Sequence, residues 1–509
     1  MLARLHSVTL EGIEGIICEV EVDVARGGFE KSIIVGLPDT AVKESIERVR
    51  SAIVNSGYSH PKTASLINLA PADVKKAGPA FDLPIALGML IGQGAVVSAA
   101  LNNTIILGEL ALDGRVRPVN GVLSMAMTAA SNGFNQMIVP LENAREAAVV
   151  ADIEVFGVGS LAQAAGFLSG QLELETTTVD VDELFNVSSN YEVDFSDVKG
   201  QENVKRALTV AAAGGHNIMM IGPPGAGKTM LAQRLVTILP PLSLDESLET
   251  TRVYSSVGLL GKNRSLLATR PMRMPHHSAS GPALIGGGTT PRPGELSLAH
   301  FGLLFLDEFV EFPRHVLEMI RQPLEDGFVI VSRAKKTIRF PARFMLVAAM
   351  NPCPCGYFGS DSRRCKCTPG KIARYLSKVS GPLVDRIDIH IDVPAISFRK
   401  LRSKASRLDS VAMRLDVITT RGIQTDRFGN GAILTNARMS HKQVEKFCTL
   451  DAAGELILKQ AMIEFGLSAR AHDKVCKVAR TIADLAGVKH IQPEHIAEAV
   501  SYRRLDRKL

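Results

Sequence analysis

The stretch Gly222-Pro223-Pro224-Gly225-Ala226-Gly227-Lys228-Thr229 has the form G-x-x-x-x-G-K-[ST]. Its glycines let successive backbone N–H groups face a polyphosphate. Lys228 reaches the β and γ phosphates, and the Thr229 hydroxyl holds Mg²⁺. Upstream, Asn217-Ile-Met-Met-Ile221 reads as a short buried strand entering the loop. Downstream, Leu231, Leu235, Ile238 and Leu239 recur at helical spacing until Pro240-Pro241 stops the helix. Strand, glycine loop and helix in this order predict an α/β domain that binds ATP and Mg²⁺.

A chain of 509 residues exceeds one core, so two or three domains are expected. An apolar share of 46% with 22% charged residues reads as a soluble globular protein. Leu83 to Leu107 carries no charge, yet Pro84, Gly88, Gly92, Gln93, Gly94, Ser98 and Asn102-Asn103 interrupt it. That pattern reads as a buried helix plus a loop, with no membrane span. Met1-Leu-Ala-Arg-Leu-His-Ser7 lacks an apolar signal core, so a cytoplasmic location and reduced thiols are expected for the seven cysteines. The net charge of +6 is unevenly spread. Glu146 to Val198 holds no Lys or Arg against eleven Asp or Glu; Arg399 to Arg438 holds nine Lys or Arg against three Asp. Each run is either a solvated linker or, for the second, a segment that meets phosphate.

Along the N-terminal region, Ile16, Cys18, Val20, Val22 and Val24 alternate with Glu19, Glu21 and Asp23, the pattern of a half-buried strand. Arg26-Gly27-Gly28 turns it towards a second strand at Ser32–Val35. Asp39 is placed to cap a helix with the stripe Val42, Ile46, Val49 and Ile53. Further strands are expected at Ser65–Leu69, Thr104–Leu107 and Gln136–Val139. Residues 1–170 therefore read as an α+β domain, and 171–192 as an acidic linker.

Two phrases in this domain, Lys76-Ala-Gly-Pro-Ala-Phe-Asp82 and Gly108-Glu-Leu-Ala-Leu-Asp-Gly-Arg-Val-Arg-Pro118, resemble the Lon-protease-like fold of the S5-domain superfamily. The resemblance implies a nucleophilic serine and a lysine for proteolysis. Ala80 stands at the serine position, and no Lys occurs from Val116 to Phe134. A Ser–Lys dyad needs both an attacking oxygen and an amine to take its proton, so a non-proteolytic relative is expected.

Leu303-Leu-Phe-Leu-Asp-Glu308 is an apolar strand ending in two carboxylates. Asp307 is placed to hold Mg²⁺ and Glu308 to polarise the attacking water. Phe344-Met-Leu-Val-Ala-Ala-Met-Asn351 is a second apolar strand, and Asn351 either sits beside the γ-phosphate or ends the strand in a simple turn. Asp194-Phe-Ser-Asp-Val-Lys-Gly-Gln-Glu202, leading into the glycine loop, resembles the opening of AAA+ ATPases. Ser380-Gly-Pro-Leu-Val-Asp-Arg-Ile-Asp388 resembles the arginine-finger phrase of the magnesium-chelatase and minichromosome-maintenance branch of that family. Arg386 would then reach a neighbouring subunit's nucleotide; otherwise it pairs locally with Asp385 or Asp388. Ser468-Ala-Arg470 matches the sensor 2 phrase of the same family, with Arg470 as the sensor. Seventy-nine positions separate Lys228 from Asp307, as expected of that branch's helix-2 insert. His276 and His277 lie in this interval and suit a loop role better than a metal site, because adjacent side chains diverge.

Asp326-Gly-Phe-Val-Ile-Val-Ser-Arg-Ala-Lys-Lys-Thr-Ile-Arg-Phe340 reads as a β-hairpin tipped by Arg333, Lys335 and Lys336. This AAA+ branch places its presensor-1 hairpin there, and the resemblance implies contact with the DNA backbone. Cys353-Pro-Cys355 and Cys365-Lys-Cys367 bring four thiols within fifteen residues, a set suited to structural Zn²⁺. The alternative is unliganded surface thiols.

The domains are then 1–170, the acidic linker 171–192, an AAA+ core at 193–395, a basic linker at 396–440 and a helical lid at 441–509. The phrases Pro275-His-His-Ser-Ala-Ser280 and Pro291-Arg-Pro-Gly-Glu-Leu-Ser-Leu-Ala-His300, with the four cysteines, resemble the ComM/YifB family. That resemblance covers nearly the whole chain. It implies a homohexameric DNA helicase that drives branch migration on single-stranded and branched DNA during natural transformation, alongside recombination proteins. The competing expectation is a magnesium-chelatase-type motor for metal insertion or protein remodelling.

Overall fold

A computed structural model describes the chain except residues 28, 30, 98–101, 188–190, 262–263, 289, 334–335, 360–362, 397–407, 430–434 and 504–509. The chain divides into two units. One joins Met1–Ser188 with Ser243–Ala268; the other joins Ser189–Leu242 with Thr269–Leu509.

The first unit is built on a seven-stranded mixed sheet. Its strand order is Lys31–Val35, Ala64–Ala70, Glu14–Val24, Leu2–Glu11, Thr104–Ile106, Gln136–Pro140 and Glu154–Val158. The expected alternation holds in Glu14–Val24: Cys18, Val20, Val22 and Val24 are buried, and the acids between them reach solvent. Lys31–Val35 pairs in parallel with Ala64–Ala70 rather than with the strand before it. The helix Thr40–Asn55 starts where the Asp39 carboxylate accepts the Val42 N–H at 2.9 Å. It buries Val42, Val49 and Ile53, each worth about 1.5–3 kcal/mol. The first part of the uncharged run, with Asp82 before it, forms the helix Asp82–Gly92, buried at every residue. Among the described residues no helix is long and apolar enough to cross a membrane.

Ala80 lies buried in the short turn Pro79–Phe81. Two residues on, the fully buried Asp82 accepts two hydrogen bonds from Arg48, at 2.9 and 3.1 Å, and the Leu110 N–H at 3.2 Å. Burial nevertheless pushes the Asp82 carboxyl up to about 6, against the pull of Arg48.

Residues 243–268, grouped by the sequence reading with the ATPase core, belong to this first unit. The cause is a buried polar cluster. Glu146 accepts hydrogen bonds from the Ser255 hydroxyl, the Leu123 N–H at 2.9 Å and Asn143 Nδ2 at 3.0 Å. Burial raises the Glu146 carboxyl, so these donors are what keep a charge tolerable there. Arg252 of the helix Leu244–Ser256 adds bonds to Glu14 at 2.6 Å and to the Ile13 carbonyl at 3.2 Å. Leu248 and Leu266 pack with Leu123 and Val149. In the stretch read as an acidic linker, Val181–Val187 forms a helix.

The second unit centres on a five-stranded, all-parallel sheet in the order Met272–Arg273, Leu303–Leu306, Met345–Met350, Ile218–Ile221 and Ile389–Asp392. Burial on both faces explains the unbroken apolar runs of Leu303–Leu306, Met345–Met350 and Ile218–Ile221. The helices His441–Phe447, Ala452–Phe465, Ala469–Leu485 and Pro493–Ser501 form the C-terminal bundle. Part of the stretch read as a basic linker is the helix Ser410–Phe428, whose Met413, Val417, Thr420 and Gln424 are buried. Arg421 donates to the Ala212 carbonyl at 2.8 Å, and Arg427 donates to Asp484 at 2.7 Å. Those cations are used inside the fold, which a charge count along the sequence does not reveal.

Candidate functional site

Three strand ends converge at one edge of the parallel sheet. The glycine loop follows Ile221, Asp307-Glu308 follows Leu306, and Asn351 follows Met350. Carboxyl ends of parallel strands are where open α/β sheets bind ligands. Gly227 has φ +87° and stands at the N-cap of the helix Lys228–Ile238, a conformation that favours glycine. The helix N-terminus therefore offers free N–H groups to an anion.

Lys228 Nζ donates to the carbonyls of Gly222 at 2.7 Å and Pro223 at 3.1 Å, and to Asn351 Oδ1 at 3.1 Å. Burial pulls this ammonium below its ordinary value, while Asp307 pulls it back up. Thr229 Oγ1 donates to Asp307 Oδ2 at 2.7 Å. The sequence-predicted Mg²⁺ ligands are thus in contact, and their oxygens fit a hard cation bridging to a phosphate. Glu308 is exposed, with φ +50°; its own N–H donates to Asp307 Oδ1 at 2.9 Å.

The other candidates are placed less directly. Arg386 is paired with neither Asp385 nor Asp388: it bonds Glu325 at 2.7 Å and the Pro382 carbonyl at 2.6 Å. Arg470 stands exposed in the first turn of the helix Ala469–Leu485. The hairpin is formed by Phe328–Arg333 and Lys336–Pro341, antiparallel up to the pair Arg333 and Lys336. Lys335 and the side chains of Arg333 and Lys336 lie outside the described residues. Arg339 stacks over the Phe328 ring, 3.4 Å from its centroid.

The four cysteines meet directly after Asn351. Their sulfurs all lie within 4.8 Å of one another. Cys353 Sγ is 3.4 Å from Cys355 Sγ and 3.7 Å from Cys365 Sγ, and Cys355 Sγ is 3.5 Å from Cys365 Sγ. Four thiolates around zinc at ~2.3 Å in a tetrahedron stand about 3.8 Å apart, so this set fits the ion. N–H groups of Tyr357 and Lys366 bond Cys355 and bring its thiol down to about 6, while neighbouring thiols push those of Cys365 and Cys367 up. Gly356, at φ +83°, follows Cys355, and a Cβ there would stand 2.5 Å from Pro224 Cδ. The cysteine knuckle is therefore seated against the phosphate loop.

Four contributors escaped the sequence reading. Gln201 Nε2 donates to the Ala226 carbonyl of the loop at 3.0 Å, from a backbone at φ +60°. His277 approaches Glu308, Glu325 holds Arg386, and Gly356 meets Pro224. Of these, the sequence marked only His277, and for a loop role rather than for an approach to Glu308.

Comparison with known proteins agrees with this geometry. Residues 194–401 match the family model of magnesium chelatase, subunit ChlI; 20–143 match that of subunit ChlI of Mg-chelatase; 407–503 match its C-terminal model. The Magnesium-chelatase 38 kDa subunit of Rhodobacter capsulatus is 29% identical over 31% of this chain and 50% of its own. Uncharacterized protein YifB of Salmonella typhimurium is 42% identical over all of this chain and 98% of its own. Competence protein ComM of Haemophilus influenzae is 43% identical over the same shares of each. A match of that depth along the full length, on magnesium-chelatase-like AAA+ domains, places the chain in the ComM/YifB family.

Proposed function

We propose that this protein is an ATP-driven DNA motor that works as a homohexameric ring and moves branch points while single-stranded DNA is integrated during natural transformation. The observation that carries the reading is the hairpin Phe328–Arg333 with Lys336–Pro341, set in sequence between the Asp307-Glu308 strand and the Asn351 strand. A basic tip there, with Arg333, Lys335 and Lys336, would hold the phosphate backbone without reading sequence. The full-length relative named for competence supports the biological setting.

In this reading Gly222 to Thr229 cradle the triphosphate, and Thr229 with Asp307 hold Mg²⁺, which neutralises phosphate charge when bound. Glu308 polarises the attacking water, and Asn351 senses the γ-phosphate through its contact with Lys228. Arg386 exchanges Glu325 for the nucleotide of a neighbouring subunit, and Arg470 closes the lid. The four cysteines hold a structural Zn²⁺. The N-terminal unit is a non-proteolytic Lon-like domain, and the protein works in the cytoplasm with recombination proteins.

The chelatase matches favour a second reading, a motor for metal insertion. ATP hydrolysis measured with and without forked DNA separates the two. Stimulation by DNA supports the DNA motor; a rate indifferent to DNA over the whole accessible salt range supports the second reading.

A further inference from the structure

The cysteine knuckle begins where the nucleotide site ends. Asn351, two residues before Cys353, holds Lys228 at 3.1 Å. The Gly222 N–H, at the head of the phosphate loop, donates to the Met350 carbonyl at 3.2 Å. Cys353 is fully buried, and the Gly356 N–H closes the turn Cys353-Pro-Cys-Gly356 by donating to the Cys353 carbonyl at 2.9 Å.

Gly356 is where knuckle and loop meet. Its φ is +83°, and a Cβ there would lie 2.5 Å from Cδ and 2.8 Å from Cγ of Pro224. A backbone packed this close to a rigid pyrrolidine ring leaves neither side room to move. The ring follows Pro223, whose carbonyl accepts Lys228 Nζ at 3.1 Å. Displacing Pro224 therefore disturbs the cradle that Lys228 completes. Gly359, in the same knuckle, has φ +73°, yet a Cβ there would meet nothing within 4 Å. Backbone conformation alone favours glycine at 359; at 356 the phosphate loop favours it too.

The sulfurs tie this turn to a second anchor. Cys353 Sγ and Cys355 Sγ stand 3.7 and 3.5 Å from Cys365 Sγ, and Cys367 leads through Thr368 into the helix Pro369–Leu376. The four thiols are free of disulfides. A shared metal ion is then what would join the two C-x-C arms and hold Gly356 against Pro224.

We propose that the knuckle braces the phosphate loop through Gly356, so that metal on the four cysteines and nucleotide on the loop stabilise one another; this rests on the cysteines holding Zn²⁺. Gly356 is a positioning residue that acts through Pro224. Linkage requires the two affinities to shift by the same factor.

The test uses the full chain, loaded with zinc and freed of nucleotide. Zinc affinity is measured by competition with a zinc-selective chromophoric chelator, with and without a non-hydrolysable ATP analogue and Mg²⁺. Affinity for a fluorescent ATP analogue is measured on zinc-loaded and zinc-stripped protein. Each ligand should tighten the other by roughly fivefold or more. Gly356→Ala and Gly359→Ala strain the backbone alike and differ in the contact with Pro224. Gly356→Ala should keep its zinc and bind the ATP analogue more weakly by a similar factor, while Gly359→Ala should match the parent. Adding Pro224→Ala to Gly356→Ala removes the ring atoms that the new methyl would strike, and should restore part of the affinity. Equal analogue affinity with and without zinc overturns the proposal, as does the absence of any difference between the two glycine variants. Should the stripped protein unfold, the glycine variants carry the test. Less than about half an equivalent of zinc in unchelated protein would remove the metal reading and the linkage with it. That failure is distinct from one zinc per chain whose affinity nucleotide leaves untouched, which sinks the linkage alone.

Discussion

Asp388→Asn should loosen the lid from the ATPase core. Asp388 sits just before the strand Ile389–Asp392 with its side chain 10% exposed. Lys474 Nζ reaches it at 2.9 Å from the helix Ala469–Leu485, and the Asn217 N–H reaches it at 3.1 Å. Burial alone would raise this carboxyl, but Lys474 and His216 outweigh it and hold it well below the usual carboxylate range. The variant keeps the shape and removes the charge, leaving Lys474 buried without an anion. Breaking such a pair costs about 3–5 kcal/mol. In a unit of nearly 300 residues, unfolding entropy of about 2.1 cal/mol/K per residue makes each kcal/mol worth roughly 1.6 °C, so the melting temperature should fall by roughly 5–8 °C. Lys474 lies one turn past Arg470, so ATP affinity should weaken with it. Thermal unfolding at pH 7, with Asp388→Asn, Lys474→Met and the double variant, reads the coupling directly. The double variant should recover part of the loss, because both charges are gone. The pH dependence has a fixed sign. A depressed folded pKa gives stability that is complete above the unfolded value of about 3.9 and is lost as pH falls towards the folded one. The gap between parent and Asp388→Asn should therefore narrow only in acid. A loss under about 2 °C, or a double variant equal to the sum of the singles, refutes the reasoning.

Lys228→Ala should abolish tight nucleotide binding, while Glu308→Gln should bind ATP yet turn it over on the order of a hundredfold more slowly; equilibrium binding beside phosphate release checks both. Elemental analysis of unchelated protein should find about one zinc per chain, and less than about half an equivalent would count against the four-cysteine assignment. Purified protein with intact ATPase should leave casein uncut, since Ala80 supplies no nucleophile; cleavage that persists through protease removal would overturn the non-proteolytic reading.

The nucleotide site was legible because its chemistry is local. Gly222 to Thr229, Asp307, Glu308 and Asn351 each follow an apolar strand, and a parallel sheet brings such strand ends to one edge. The strand Glu14–Val24 and the Asp39 cap were legible for the same reason, period two and a helix start being short-range signals. What escaped depends on partners far away in the chain. Ser255 joins Glu146 across 109 positions, and that distance hides the membership of 243–268 in the first unit. Arg421 and Arg427 looked like solvated charge until the Ala212 carbonyl and Asp484 came to meet them. Arg386 was expected to reach a neighbouring subunit's nucleotide, with a pair to Asp385 or Asp388 as the alternative, and the sequence showed nothing of Glu325, the partner on another helix that holds it. The paired C-x-C spacing gave the thiol cluster, but not its seat on Pro224.

Strand separation of forked DNA, comparing the parent with the Lys335→Ala and Lys336→Ala double variant at matched ATP occupancy, tests the central claim most directly. The parent should separate strands only while ATP is hydrolysed. The variant should bind ATP normally, bind DNA more weakly with a flatter salt dependence, and fail to separate strands. A parent that hydrolyses ATP yet never separates strands, or a double variant that unwinds at the parent's rate, would contradict the account.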